Sequence, residues 1–387
     1  MNYYLNNWGD FMVYLDYSAT TPVNSSVLDS FCKVTTDYIG NANSLHKLGV
    51  KSNELISAST FQIAKLLNVN SSEIIYTSGA SESNNLAIKG ICYSYKNRGK
   101  HIVTTHFEHS SIYGPISFLK EEGFEVDFVE TDDDGLVSLD KLKEVVRDDT
   151  ILVSIASVNS EIGIRQSIEE IGAFLKNNYR CFFHVDMTQS IGKEKIEFAN
   201  VDLASFSAHK FFGLKGIGCL IKKDKILLEP LIHGGKSTTI FRSGTPMLPL
   251  IVSLSKALRL ALEDIDNKYL YVQELNDYIK EKISIYPLVK INSNSKCIPH
   301  ILNFSIIGCK PETMQHALEE YDIFVSTQTA CSDGHTLSQS VFALTNDKER
   351  ASSSIRVSLS NITTREECDK FLYAFSLCYD RLTNLKK

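Results

Sequence analysis

No stretch of this 387-residue chain approaches the ~20 consecutive apolar residues that a membrane-spanning helix needs, so no membrane association is expected. The opening residues, MNYYLNNWGD, lack the basic start and apolar run of a secretion signal. Basic residues are not in excess: 40 Lys and Arg against 46 Asp and Glu leave a net charge of −6. That balance argues against direct nucleic-acid binding and against an anionic membrane surface. The nine cysteines contain no CxxC pair and no Cys/His zinc spacing, so no metal site is expected. Internal repeats, low-complexity segments and Pro/Ser-rich linkers are missing as well. What remains is an ordinary globular composition, 43% hydrophobic and 22% charged, with length for two or three domain-sized units and a cytoplasmic location.

Six of the cysteines, Cys32, Cys92, Cys181, Cys219, Cys309 and Cys378, stand in apolar or helical contexts and read as small core residues. Cys331 differs. It lies in Thr-Ala-Cys-Ser-Asp-Gly, polar and turn-prone, where a thiol can be exposed and reactive.

Over 71–218 short β-rich runs alternate with helical patterns. Strands are expected at 73–76, 101–105, 124–129, 151–154, 181–185, 203–205 and 218–221, and helices at 110–121, 139–146 and 168–176. The alternation predicts an α/β fold: a mostly parallel sheet flanked by helices, with its ligand at the carboxyl ends of the strands. Over 246–283, apolar residues three and four apart (Leu254, Leu258, Ala261, Leu262, Ile265) predict one long helical spine. It leads to a smaller α+β unit with strands at 301–306 and 355–359 and a helix over 312–321.

Three polar clusters fall at strand ends. Thr77-Ser78-Gly79-Ala80-Ser81-Glu82-Ser83-Asn84-Asn85 is a small-residue turn entering a helix near Ser83; it can offer free N–H groups to a phosphate, or be a capped turn that binds nothing. His184-Val185-Asp186-Met187-Thr188-Gln189 closes an apolar strand. Its Asp186 can hold the protonated ring nitrogen of pyridoxal phosphate, or simply cap a helix. Ser207-Ala208-His209-Lys210 puts a lysine beyond a strand, suited to a Schiff base beside a phosphate, or merely solvated. Each is ambiguous alone; together, in compatible order, they favour a cofactor site.

These clusters, with Tyr14-Leu15-Asp16-Tyr17-Ser18-Ala19-Thr20-Thr21, Val158-Asn159-Ser160-Glu161-Ile162-Gly163 and Arg242-Ser243-Gly244-Thr245, make the chain resemble cysteine desulfurases of the NifS/IscS type. Those are fold-type I pyridoxal-phosphate enzymes of the class V aminotransferase group. The resemblance runs from about Tyr14 to at least Asp369. It implies a large cofactor-binding domain over 17–250, and a small domain of 1–16 and 251–387 that carries a catalytic cysteine loop. It implies pyridoxal 5'-phosphate as cofactor and L-cysteine as substrate, converted to L-alanine with the sulfur held as a persulfide on Cys331. Lys210 would be the Schiff-base lysine and later shuttle protons, Asp186 would pair with the ring nitrogen, and Gln189 would bond the ring hydroxyl. His109 would stack on the ring and assist proton transfer, and Asn159 would contact cofactor or substrate. Ala80, Ser81, Ser207 and His209 would hold the phosphate, with Thr245 supplied by the second subunit of a homodimer with shared active sites. Arg356 would bind the substrate carboxylate. A sulfur-acceptor protein, an iron–sulfur scaffold or a transfer-RNA thiolase, would take the persulfide.

The chain departs from the family pattern in four places: His233-Gly234-Gly235-Lys236-Ser237-Thr238 before Arg242, Ser326-Thr327-Gln328-Thr329-Ala330-Cys331-Ser332-Asp333 around the cysteine, Leu214 for a proline, and Ser160 for an asparagine. A selenocysteine lyase or a related class V aminotransferase is the alternative activity. The polar, turn-rich run around Cys331 also predicts a loop that moves between substrate and acceptor.

Overall fold

The alternating pattern folds into three sheets in a computed structural model that describes residues 12–327 and 337–384. Cys331 lies outside the described residues, and so does the loop motion predicted around it. The chain opens with strand β1 (Val13–Tyr14) and helices α1 (Ser25–Asp37) and α2 (Lys47–Leu67). Alternation then begins: β2 (Ile74–Thr77), α3 (Ala80–Tyr95), β3 (His101–Thr104), α4 (Ser110–Glu121), β4 (Glu125–Phe128) and α5 (Leu139–Val145). It continues through β5 (Thr150–Ala156), α6 (Ile168–Asn178), β6 (Phe182–Asp186), β7 (Leu203–Ser207) and β8 (Gly218–Lys222). After α7 (Leu248–Leu262) and α8 (Ile265–Ile283) come β9 (Val289–Ile291), β10 (Ile301–Ile306), α9 (Pro311–Glu319) and β11 (Ile323–Phe324). The chain ends with α10 (Gln339–Thr345), α11 (Lys348–Ala351), β12 (Ser354–Ser358) and α12 (Arg365–Asn384). None of the described helices is long and apolar enough to cross a membrane.

The seven-stranded sheet has the order β2-β8-β7-β6-β5-β3-β4. Its strands pair in parallel from β4 to β7, whereas β8 runs antiparallel to both β7 and β2. Two reversals restore the direction, so β2 ends at the same edge as β3, β5, β6 and β7. Every residue of β5, β7 and β8 is buried, because helices cover both faces, and such strands read as nearly continuous apolar runs. Within them the two-residue period still sorts side chains. Val153, Ile155, Phe183, Val185, Ala204 and Phe206 join the core beneath α2, α6 and α7. Leu152 and Leu203 face the core beneath α3 and α4 instead. A separate core unites β1, α8, β10, α9, β12 and α12, around the antiparallel sheet β12-β10-β9 and the parallel pair β1-β11.

The single spine expected over 246–283 is two helices. Glu263 turns extended and Asp264 takes the left-handed conformation (φ 53°), which a continuing helix cannot contain and which a short polar side chain tolerates. The break also divides the cores. Leu248, Ile251, Leu254, Ala257 and Leu258 of α7 pack with the large sheet, although residues past 250 were expected in the small unit. Val272, Leu275 and Ile279 of α8 pack in the small core with Val13 and Leu15. The core reading of Cys32 is corrected too: it is exposed on α1, while Cys181 and Cys309 are only partly buried.

Candidate active site

The shared edge of β2, β5, β6 and β7 opens into a cavity of about 480 Å³, lined by Ala80, Ser81, His109, Asp186, Gln189, Ser207, His209, Lys210 and Arg356 among others. Nine of the positions singled out in the sequence thus converge, from elements scattered between 80 and 356. Asn159 and Thr245 do not line it. The Asn159 amide is occupied by the Phe107 carbonyl (2.9 Å), the Ser340 hydroxyl (3.1 Å) and the backbone N–H groups of Glu161 (3.0 Å) and Ile162 (2.8 Å). It shapes the loop after β5.

One wall is the start of α3. Gly79 is its N-cap and supplies no capping side chain, so the first N–H groups of the helix, at Ala80 and Ser81, have no intrahelical partner. The turn seats directly on β8, where a Cβ at Gly218 would come within 2.5 Å of Gly79 Cα. Only glycine fits there. Ser207, His209 and Lys215 border the same end, making it a ready anion site. Burial and the charges of Lys210 and Lys215 push the His209 imidazole down to about 4, so it is a neutral donor or acceptor there.

At the centre, Asp186 is buried. Its Oδ1 accepts the Thr188 N–H (2.9 Å), and its Oδ2 accepts from Asn84 Nδ2 (2.8 Å). Lys210 Nζ donates to the carbonyls of Ser18 (2.5 Å) and Ala19 (2.9 Å). Gln189 Nε2 also donates to Ser18 O (3.0 Å), while its Oε1 accepts from the buried Lys193 (2.6 Å). Burial, with Lys210 and Arg356 nearby, lowers the Lys193 ammonium to about 7. Arg356, on β12, donates through Nη2 to Asp16 (2.7 Å) and through Nη1 to the Ser160 carbonyl (2.9 Å). That second bond uses the backbone, so the change from asparagine at 160 leaves it intact.

Three buried polar atoms on this cavity have no partner among the described residues: Ser18 Oγ, Thr188 Oγ1 and Arg356 Nε. Unpaired buried polar groups are costly, and all three belong to residues that line the cavity. An anion site at a helix start, a carboxylate, a lysine amine and a half-free guanidinium form a donor set that fits pyridoxal 5'-phosphate together with an amino acid. Asn84, Ser111, Asp16 and Lys193 were not singled out as site residues in the sequence. Asn84 at least stood inside a quoted motif, whereas Ser111 and Lys193 carried no signal of their own.

Behind His109, Glu108 is buried. It accepts from the Thr105 hydroxyl (2.6 Å) and the Ala156 N–H (2.9 Å). Burial, with some help from Asp186, raises its carboxyl from 4.5 to about 8. A carboxyl whose pKa is higher when folded contributes stability below its unfolded value, and loses it as pH rises through the folded one. Denaturation of the parent should therefore become easier from about pH 5 to 8, with a slope from this group of up to about 1.4 kcal/mol per pH unit. Glu108→Gln should flatten that slope, and parallel curves for the two proteins would show Glu108 already ionised in the fold.

The chain matches the family model described as aminotransferase class-V over residues 13–371. It is 39% identical over 382 residues to a NifS/IcsS protein homolog of Lactobacillus delbrueckii subsp. bulgaricus, covering 97% of this chain and 99% of that one. It is 40% identical over 379 residues to the cysteine desulfurase IscS of Vibrio cholerae, covering 96% of this chain and 93% of the other. Among solved structures, a NifS-like protein superposes with a TM-score of 0.90 at 33% identity, over 96% of this chain and all (100%) of that one. The structure of SspA in complex with cysteine gives 0.80 at 31% identity, over 91% and 99%.

Proposed function

The chain belongs to the class V aminotransferase family, as a cysteine desulfurase of the NifS/IscS type, and from that premise we propose that its cavity binds pyridoxal 5'-phosphate and L-cysteine, with Cys331 receiving the sulfur. One observation carries the reading: the Lys210 amine, the Asp186 carboxylate and the Arg356 guanidinium border one cavity that ends at the open start of α3. Bound there, pyridoxal 5'-phosphate would supply an electron sink for the substrate's α-carbon.

The chain's own residues do the rest. Ala80 and Ser81 N–H groups, Ser207 and His209 hold the phosphate. Asp186, anchored through both oxygens, keeps a proton on the ring nitrogen. Gln189 gives one amide N–H to the Ser18 carbonyl and accepts from Lys193, which leaves its second N–H for the ring hydroxyl. Lys210 holds the cofactor and moves protons at Nζ. Arg356, which lines the cavity, offers its guanidinium to the substrate carboxylate. The Cys331 thiolate forms an S–S bond as the substrate's C–S bond breaks, which leaves alanine and an enzyme persulfide. The chain reaches Cys331 from Ser326, whose backbone pairs with that of Arg356 (2.7 and 3.1 Å).

Arg356→Lys keeps the charge and loses the fork. It should raise KM for cysteine about thirtyfold, the worth of one charged hydrogen bond of ~2 kcal/mol, with a smaller change in kcat. An unchanged KM would remove Arg356 from the substrate site.

We propose a homodimer with shared sites. Thr245 does not line its own chain's cavity, and Ile39 (79% exposed), Leu45 (97%) and Phe61 (66%) form apolar surface around α1 and α2 that a second copy would cover. No disulfide joins the described cysteines to one another, which fits a reducing cytoplasm, and the persulfide would pass to an iron–sulfur scaffold or a transfer-RNA thiolase. The reading is tested by alanine release from L-cysteine. Release from selenocysteine alone would make the chain a lyase for selenium, and a keto-acid product would make it a transaminase.

A further inference from the structure

His109 is held more tightly than a freely titrating imidazole. It is the N-cap of α4, and its Nδ1 accepts from the Ser111 backbone N–H at 3.1 Å. A backbone amide only donates, so Nδ1 carries no proton. Ser111 Oγ lies 2.8 Å from the same nitrogen, and that hydroxyl already accepts from Asn84 Nδ2 at 2.8 Å, so its own proton goes to the imidazole. The second Asn84 N–H goes to Asp186 Oδ2 at 2.8 Å.

The chain of bonds therefore has one direction. Turning the Asn84 amide over would set its oxygen against the Asp186 carboxylate, and turning the His109 ring would leave the Ser111 N–H uncapped. A neutral imidazole has a single N–H, which must sit on Nε2. Among the described residues Nε2 has no partner, and the ring lines the cavity.

The charges facing the ring do not reverse this. Asp186 on β6 and Glu161 after β5 favour the imidazolium, while Lys210 after β7 opposes it, and burial, the largest influence, holds the ring below its ordinary value. The positive end of α4 acts in the same sense.

We propose that His109 works as a neutral hydrogen-bond donor, fixed as its Nε2–H tautomer by the positioning residues Ser111 and Asn84, and that it takes no proton from the substrate. To act as a base, Nε2 would have to be bare, which moves the proton to Nδ1 against two donors. Proton transfer then falls to Lys210, and the imidazole stabilises charge on the group it faces, as neutral histidines at helix starts can. The inference rests on the cavity being the cysteine site.

The experiment is nitrogen-15 resonance of histidine-labelled protein, with the His109 signals located by their loss in His109→Gln. A bare Nδ1 and a protonated Nε2 are expected between about pH 6 and 8, where an ordinary histidine titrates. A protonated Nδ1, alone or with Nε2, overturns the proposal. This measurement needs neither turnover nor bound cofactor, so a failure to make alanine from cysteine would strike the desulfurase reading and leave the tautomer result standing. In Asn84→Leu and Ser111→Ala, which leave the residue-111 backbone N–H on Nδ1 but loosen or remove the hydroxyl bond, the His109 Nδ1 signal should shift from the parent's position, with turnover down about tenfold for one lost hydrogen bond. Unmoved signals would remove the positioning roles. His109→Gln, which keeps an N–H donor, should stay within about tenfold of the parent, whereas His109→Glu should lose ~100-fold or more, the range for a lost charge-stabilising donor. The opposite ranking would make His109 a base and overturn the proposal.

Discussion

Lys210→Ala is expected to lower alanine formation by a factor on the order of 10⁴ or more while the protein stays folded. Lys210 sits on the short turn after β7, and its amine donates to the carbonyls of Ser18 and Ala19, which border the cavity. Removing it leaves those carbonyls without this donor, a cost of about 1–3 kcal/mol that three buried core clusters can bear. Lys210→Arg separates two explanations, because it keeps a charge and donors to the carbonyls but cannot hold the cofactor covalently. Both variants should be inactive if attachment matters, and only the alanine variant if charge matters. Borohydride reduction of the parent, followed by peptide mapping, should place the cofactor on Lys210. Lys215 borders the same cavity and Lys193 is buried behind it, so a label on either would sink the assignment.

The sheet was legible because burial on both faces writes itself as apolar runs between helical periods. The expected 101–105, 181–185 and 203–205 differ from β3, β6 and β7 by a residue or two at an end. Caps were less legible. Serine is a favoured N-cap, so Ser83 looked like the entry to α3, yet the helix begins at Ala80 behind a glycine that caps nothing. A turn that leaves its N–H groups open for an anion lacks the signal by which helix starts are read. The break at Asp264 was hidden for a different reason: apolar spacing persists across it, and one left-handed residue leaves no periodic trace. Helical context likewise could not say that Cys32 points outward. In the site, the charged residues that meet the cavity were readable from strand ends, but their supports were not. Asn84 and Asp16 act through residues distant in sequence, and Ser111, although only two residues from His109, is tied to Asn84 across 27 residues, separations that one sequence does not encode.

Cys331→Ser should bind L-cysteine about as well as the parent and yet lose at least ~100-fold in alanine and sulfide release, because a hydroxyl neither ionises like a thiol nor holds a transferable sulfur. The other eight cysteines cannot stand in. None of them lines the cavity. Burial raises the thiols of Cys92, Cys219 and Cys378, and lifts those of Cys181, Cys297 and Cys368 to about 12, so little of any of them is thiolate near neutral pH. Cys32 is exposed on α1 and Cys309 follows β10 in the small unit, and neither lines the cavity. Of the described flanks of Cys331, Ser326 pairs with the backbone of cavity-lining Arg356, and Ser338 donates to Glu161 Oε2 at 2.6 Å as it caps α10. After one turnover without reductant, peptide mass analysis of the parent should find one extra sulfur atom on the Cys331 peptide and on no other. Rapid turnover by the serine variant, or the sulfur on a different cysteine, would move the acceptor elsewhere and leave the Lys210 assignment to be judged on its own result.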